Sequence, residues 1–433
     1  MQTVNRRQFL KLAGAASALA ALPRAVGAAT TPARVVVVGG GFGGATAAKY
    51  IRMWGGGNIQ VTLIDPNPSH ISCILSNLVL TGTLPMSKIT LSYGSLISRF
   101  GISILQGRAV AIDGGGNTLT VSTASGNQVL PYDHLVLSPG INFVAPEGAW
   151  DPKLTPHAWK AGAQTTLLKR QLASMRNGEI FVMTVPKSPY RCPPGPYERA
   201  CVVADYLKTK RYTNAKVIVL DANAGIQAEP VGFGYAFNST HAGMIEYVPN
   251  ATVLSVDSAS RSIVTTAQII SNARVLNVIP NQKAGAIATN LPLNTQGFVP
   301  VNPLTYAVAG YPNIHVIGDA CAVPASDNKG VPKSGHMANS EAKVCADAIV
   351  RALAGEAPDT NVATNSACYS PITAKTASWL SANYNYGDIY DAAGNIKGKG
   401  MHRVDLGEAE RANGDNYEDM FTWANSLFSD SYA

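Results

Sequence analysis

Arg34-Val35-Val36-Val37-Val38-Gly39-Gly40-Gly41-Phe42-Gly43-Gly44 decides the fold. Its first half is a β-branched run without alternation, the pattern of a strand buried on both faces. Its second half satisfies G-x-G-x-x-G with Gly39, Gly41 and Gly44. Residues 45–52 (ATAAKYIR) then read as a helix and Gln60 to Ile64 as a second strand, which ends in Asp65, 21 residues beyond Gly44. Each part has a mechanical reason. The first glycine makes the tight turn, the second lets backbone N–H groups approach a pyrophosphate, and the third packs helix on sheet. The acid takes ribose hydroxyls, and the helix N-terminus favours phosphate. Strand, turn, helix and acid in this order predict a dinucleotide-binding βαβ unit.

Composition sets the bounds around that unit. The chain has 433 residues, 46% hydrophobic and 14% charged, which excludes a disordered chain. Six cysteines in this length exclude a small disulfide scaffold. A formal charge of +7 would suit nucleic acid or membranes as partners. Its distribution argues otherwise. Arg6, Arg7, Lys11 and Arg24 lie in the first 28 residues with no acid. They flank an apolar run from Leu12 to Leu22 and precede the small-residue site Val26-Gly27-Ala28. That is an export leader, and Arg6-Arg7 before Phe9-Leu10-Lys11 marks it as a twin-arginine signal. Residues 1–28 are therefore read as removed on export to the periplasm. The chain from residue 29 onward carries +3, and residues 401–433 alone carry −5, so neither nucleic acid nor lipid is indicated. No later run reaches 18 apolar residues, and no stable membrane insertion is expected.

A second set of landmarks lies far downstream. Ile314-His315-Val316-Ile317-Gly318-Asp319-Ala320 is an apolar strand ending in Gly-Asp, and residues 132–140 (YDHLVLSPG) form another strand ending at Gly140. With the first motif, these resemble the flavoproteins that carry two dinucleotide-binding domains. The resemblance implies FAD, with Gly318 and Asp319 at the ribityl chain and Gly140 on the strand that leads back to the flavin domain. The second domain of such proteins repeats the glycine motif for NAD(P)H. Here Glu179 to Val185 reads as its strand, Tyr197 to Lys208 as its helix and Lys216 to Leu220 as its next strand. The turn between reads Pro186-Lys187-Ser188-Pro189-Tyr190-Arg191-Cys192-Pro193-Pro194-Gly195-Pro196. Proline lacks the N–H donors a pyrophosphate needs, so NAD(P)H is not expected to bind.

The cysteines are 73, 192, 201, 321, 345 and 368. No C-x-x-C-H occurs, so this chain holds no haem, and no zinc-type spacing occurs, so no metal is expected. Cys201, Cys321 and Cys345 read as core. Cys192 sits in the proline loop, Cys73 in the loop after Asp65, and Cys368 alone beyond a linker near residues 355–359.

Taken with residues 73–77 (CILSN), 156–165 (PHAWKAGAQT), 191–200 (RCPPGPYERA) and 332–340 (PKSGHMANS), the chain resembles the flavoprotein subunit of flavocytochrome c sulfide dehydrogenase. The resemblance implies an α/β fold of two Rossmann-like domains, glutathione-reductase-like, plus a small C-terminal domain. Residues 33–150 and 291–355 would form the FAD-binding domain, 151–290 the second domain, and 356–433 the C-terminal flavin-proximal domain. It implies FAD held covalently through Cys73 and a redox-active disulfide between Cys192 and Cys368. Glu198 would be a proton acceptor beside that disulfide, and Trp423 an aromatic near the flavin. Sulfide would be the substrate and a separate cytochrome c subunit the partner, in a heterodimer. The alternative is a sulfide:quinone oxidoreductase, or a related exported flavoprotein that supports thiosulfate or persulfide oxidation. A quinone enzyme of this kind docks on membranes through amphipathic C-terminal helices. The segment from Asn416 to Ser429 is amphipathic but acidic, and is read as packed on its own protein.

Overall fold

The valine run forms β1 (Ala33–Val38), and the glycine turn leads into α1 (Phe42–Gly55). Val35 to Val38 are buried, as the unbroken apolar run requires. Gly39 has φ +100°, and a Cβ there would collide with the Ser138 carbonyl oxygen. Gly44 lies so close to the Gly39 carbonyl oxygen that any side chain would push helix from strand. The helix begins three residues earlier than its sequence pattern, because Phe42-Gly43-Gly44 forms its first turn. Next come β2 (Ile59–Asp65), the loop carrying Cys73, the short α2 (Ser76–Thr81), β3 (Ser103–Gln106), a three-stranded antiparallel meander over residues 108–131, and β4 (His134–Leu137). The structure is a computed structural model that describes residues 31–433 except 272, 326–329 and 392. The export leader lies outside the described residues.

The second unit repeats the frame. β5 (Ile180–Val185) is followed by the proline loop, α3 (Gly195–Thr209) and β6 (Lys216–Asp221), with β7 (Ile245–Val248) and β8 (Val275–Asn277) completing a parallel sheet in the order β7-β6-β5-β8. The chain then returns. β9 (Tyr311–Val316) pairs parallel with β4, giving the order β9-β4-β1-β2-β3 and an antiparallel edge strand, Ala307–Val308, outside β9. The carboxyl ends of β1, β2, β4 and β9 thus face one crevice, where open α/β sheets bind ligands. After β9 comes α4 (Gly335–Leu353), whose N-cap Ser334 accepts the Met337 N–H at 3.0 Å. α4 lies against α1 on the first sheet.

The C-terminal region is β10 (Ala363–Pro371), β11 (Ala377–Tyr390) and β12 (Ile396–Glu408), one antiparallel sheet, then α5 (Gly414–Tyr432). Met420, Ala424, Leu427, Phe428 and Tyr432 of α5 are buried. Lys49 of α1 donates to the carbonyls of Ser429, Asp430 and Ala433, the favourable place for a cation at a helix C-terminus. The Tyr432 hydroxyl donates to the Gly40 carbonyl at 3.0 Å, tying the last turn of the chain to the first glycine loop. α5 thus packs on its own protein. Among the described residues no helix is long and apolar enough to cross a membrane.

Candidate active site

Where β1, β2, β4 and β9 end, a cleft of about 700 Å³ opens, within the range of cofactor sites. Gly39, Gly41, Asp65, Cys73, Gly140, Gly318 and Asp319 all line it. Gly44 is set back, serving the helix–strand contact. Asp65 accepts the Gly40 N–H at 2.7 Å and the Asn67 N–H at 2.8 Å, so it shapes the turn as well as facing the cleft. Several buried polar atoms around the cleft lack a protein partner: Asp319 Oδ1, His70 Nε2, and Arg191 Nε and Nη2. Arg191 stands 4.0 Å from Asp319, too far for a hydrogen bond. Buried polar groups are seldom left unpaired. A long ligand with hydroxyls and phosphates would pair these, and the N-terminus of α1 would meet its phosphates. The residues fit FAD.

A second, smaller cavity of about 50 Å³ adjoins the first, with Cys73, Arg191, Ser334 and Gly335 in both walls. It has room for a few water-sized molecules. Cys192, Cys368, Glu198 and Trp423 all line it. Four separate elements deliver them: the proline loop, β10, the first turn of α3, and α5. Cys192 takes the left-handed conformation, φ 58°. Its N–H donates to the Lys333 carbonyl at 2.7 Å, and its carbonyl accepts the Gly195 N–H at 2.9 Å. Cys73, Cys192 and Cys368 are thiols here. Burial pushes all three up, most strongly at Cys192 and Cys368, where neighbouring thiols and Glu198 add to it.

Glu198 is also held up, to about 7, because burial outweighs the pull of Asn77 and Arg199. Asn77 Nδ2 donates to Glu198 Oε1 at 2.9 Å, while Asn77 Oδ1 accepts from Arg199 Nε at 2.9 Å. Arg199 is buried and donates further to Asn277 and to the carbonyls of His157 and Ala158, beneath the Trp159 ring. Burial brings its guanidinium down to about 9. Asn77 therefore bridges a buried acid and a buried base. On the far wall, the Ala367 N–H and Trp423 Nε1 both donate to His336 Nδ1, at 3.0 and 3.3 Å. Two donors on Nδ1 leave the ring proton on Nε2, and burial keeps the ring neutral.

Sequence reasoning does not single out Asn77, Arg191, Arg199 and His336. They lie inside the segments that carry the family resemblance, but no spacing rule marks them. Their roles depend on elements distant in sequence. Cys201 and Cys345 are fully buried in α3 and α4, and Cys321 is buried with its thiol directed at the Gly318 carbonyl, 3.1 Å away. Among the described residues no group of three or more His, Cys, Asp or Glu could hold a metal ion.

In the second unit the corresponding cleft, of about 520 Å³, is open but lined differently, by Lys187, Ser188 and Pro189 of the proline loop and by Asn223 and Gln227 after β6. Asp221, at the end of β6, stands where an acid would take a ribose. Its Oδ2 instead accepts the hydroxyls of Tyr197 and Tyr247, at 2.7 and 2.8 Å, and its Oδ1 accepts two N–H groups of Asn223. Tyr197, Phe233, Phe237 and Tyr247 pack beside it in tilted and edge-on pairs.

The family profile of the pyridine nucleotide-disulphide oxidoreductases matches residues 33–175. That of the sulfide dehydrogenase [flavocytochrome c] flavoprotein chain, central part, matches residues 165–280. The flavoprotein chain of sulfide dehydrogenase [flavocytochrome c] from Chlorobaculum thiosulfatiphilum is 54% identical over 46 residues, 11% of this chain and 94% of that sequence. The chain belongs to this flavoprotein family. Membership implies FAD in the large cleft. A twin-arginine signal profile matches residues 3–23, so the protein is exported to the periplasm by that route. The type II NADH:quinone oxidoreductase NdhA of Mycobacterium tuberculosis is 33% identical over 108 residues, 25% of this chain, and the match spans 22% of that relative's length. The sulfide:quinone oxidoreductase of Aquifex aeolicus superposes with a TM-score of 0.72 at 18% identity, over 92% of this chain and 91% of that one. At that identity the likeness shows the fold: two Rossmann-like domains and a C-terminal domain.

Proposed function

We propose that this protein is a periplasmic sulfide dehydrogenase flavoprotein: it oxidises sulfide at a Cys192–Cys368 disulfide beside FAD linked to Cys73, and passes electrons to a cytochrome c subunit. The observation that carries the reading is the small cavity, where Cys192, Cys368 and Glu198 share one wall system with the flavin cleft and Cys73 stands in both. In this reading 33–150 and 291–355 form most of the flavin cleft, 151–290 adds Arg191 to its wall and supplies Cys192 and Glu198, and 356–433 supplies Cys368 and Trp423.

The chemistry asked of the residues is disulfide exchange. Hydrosulfide enters a cavity sized for it and attacks one sulfur of the pair. That cysteine becomes a persulfide and the other leaves as thiolate. Glu198, with a carboxyl near 7, takes the persulfide proton, and Asn77 holds it in place. Trp159 and Trp423, with the strand face of β10, keep bulk water from the sulfurs. When bound, the flavin accepts two electrons and releases them singly. The proline loop offers few N–H donors for a nicotinamide pyrophosphate, so in this reading reducing power enters through the sulfurs.

Purifying the native protein from its own host and recording a visible spectrum tests this reading. A haem absorbance that copurifies, flavin that stays with the polypeptide after acid denaturation, and sulfide-driven reduction of cytochrome c faster than that of a soluble quinone are the expected results. Flavin released by acid removes Cys73 from its role, and a preference for quinone overturns the acceptor.

A further inference from the structure

Glu229 is a buried carboxyl that the steps above do not use. Its exposure is 0%, and it adopts the left-handed conformation, φ 52°, at the start of the short helix Pro230–Tyr235. Few residues other than glycine and asparagine take that conformation, and strain held in a buried acid points to a use. Glu229 Oε1 accepts the Ser370 hydroxyl at 2.6 Å, while its Oε2 is buried with no partner. Ser370 lies two residues beyond Cys368 on β10, so the two side chains share one face of the strand. Ser366, on the same face, bonds Ser334 at the mouth of the thiol cavity. The face therefore reads Ser366, Cys368, Ser370, with Glu229 at its far end. The titratable groups around Glu229 are Glu198 and Cys201 from α3, Cys368 from β10 and Glu408 from β12. Ser378 of β11 also faces it.

We propose that Glu229 is a positioning residue for the cysteine pair: held as a neutral acid on Ser370, it lets Cys368 carry the negative charge created when the disulfide opens, and its ionisation opposes that charge. The assignment also gives the exchange a direction, with Cys368 as the leaving sulfur and Cys192 as the one attacked. Burial supports the neutral form, lifting the carboxyl to about 8 against the pull of the Ser370 hydroxyl. Above that pH a second negative charge arises beside Cys368, and the like charge disfavours its thiolate.

This inference rests on reading Cys192 and Cys368 as the disulfide that sulfide opens, and its test can fail separately from that reading. In the flavin-loaded Cys192→Ser protein, alkylation of Cys368 by iodoacetamide is followed by mass spectrometry of its peptide from pH 6 to 10. Adding Glu229→Gln, which stays neutral throughout, is expected to raise the Cys368 alkylation rate at pH 9 by about tenfold, the effect of lowering the Cys368 pKa by about one unit. In the protein with both cysteines, the ratio of sulfide-driven flavin reduction at pH 9 to that at pH 7 is expected to rise by a similar factor in Glu229→Gln. Ser370→Ala is a second variant that leaves the carboxyl in place. Losing the serine donor raises the Glu229 carboxyl further, so the flattening of the pH-driven rise in Cys368 alkylation moves to higher pH. Superimposable alkylation curves with and without Glu229→Gln, or with and without Ser370→Ala if the Gln variant does not fold, overturn the proposal. Full sulfide activity of Cys192→Ser would instead overturn the disulfide reading, and the alkylation result would still decide the role of Glu229.

Discussion

The two Rossmann-like units share strands, helix and parallel register, yet differ wholly in the turn after the first strand. In the first, Gly39 to Gly44 leave a cleft bordered by orphaned buried polar atoms. In the second, residues 186–196 contain five prolines, and Asp221 is saturated by two tyrosines and an asparagine. The frame is retained because its strands are core. The first turn offers N–H donors to its cleft, whereas the second presents Cys192 to the small cavity. The helix that follows the second turn carries Glu198 in its first turn.

The comparison breaks most visibly at the glycine turn. Gly39→Val is expected to abolish flavin incorporation, since its φ of +100° and the nearby Ser138 carbonyl both reject a side chain. The flavin-to-protein absorbance ratio of the purified variant checks this, and a normal ratio would contradict it. On the other side, NADH should not bleach the flavin of the native protein under anaerobic conditions at millimolar nicotinamide. Bleaching at a rate comparable with sulfide would mean the second cleft still works.

Glu198→Gln sharpens the comparison further. A base must be ionised to accept a proton, and burial sets this carboxyl near 7. The sulfide-dependent rate, corrected for the ionisation of sulfide itself, should therefore rise with pH between about 6 and 8. The Gln variant should lose that limb and be slower by about 10²-fold at pH 8. An unchanged limb would move the proton elsewhere. The smallest effect belongs to the anchoring of α5. Lys49→Met removes a cation from the C-terminal carbonyls of that helix, which should cost about 1 kcal/mol. Thermal unfolding should fall by a few degrees while flavin content holds.

Much of this is legible in residue order. The valine run, the glycine spacing and the strands ending at Asp65 and Asp319 obey local rules of burial and turn geometry, so their elements can be placed within a few residues. The proline loop reads as a lost nicotinamide turn because proline's missing donor is a local fact. The aromatic cluster around Asp221 is not readable, since Tyr197, Phe233 and Tyr247 meet only after folding. Residues 363–408 do not read as strands. Their long hairpin has many exposed or half-buried positions, so alternation is blurred. The gathering of Cys73, Cys192 and Cys368 is implied by resemblance alone, because they arrive from three elements with no shared period. Asn77, Arg199 and Glu229 are invisible for the same reason: their meaning lies in partners from elements distant in the chain.

The most direct test of the central claim is the rate of flavin bleaching after anaerobic mixing of sulfide with the native protein and with Cys368→Ser. The account predicts fast bleaching in the first. In the second it predicts a loss on the order of 10³-fold, the scale of removing a reacting group, with the flavin retained in full. Bleaching at the native rate in Cys368→Ser would contradict it.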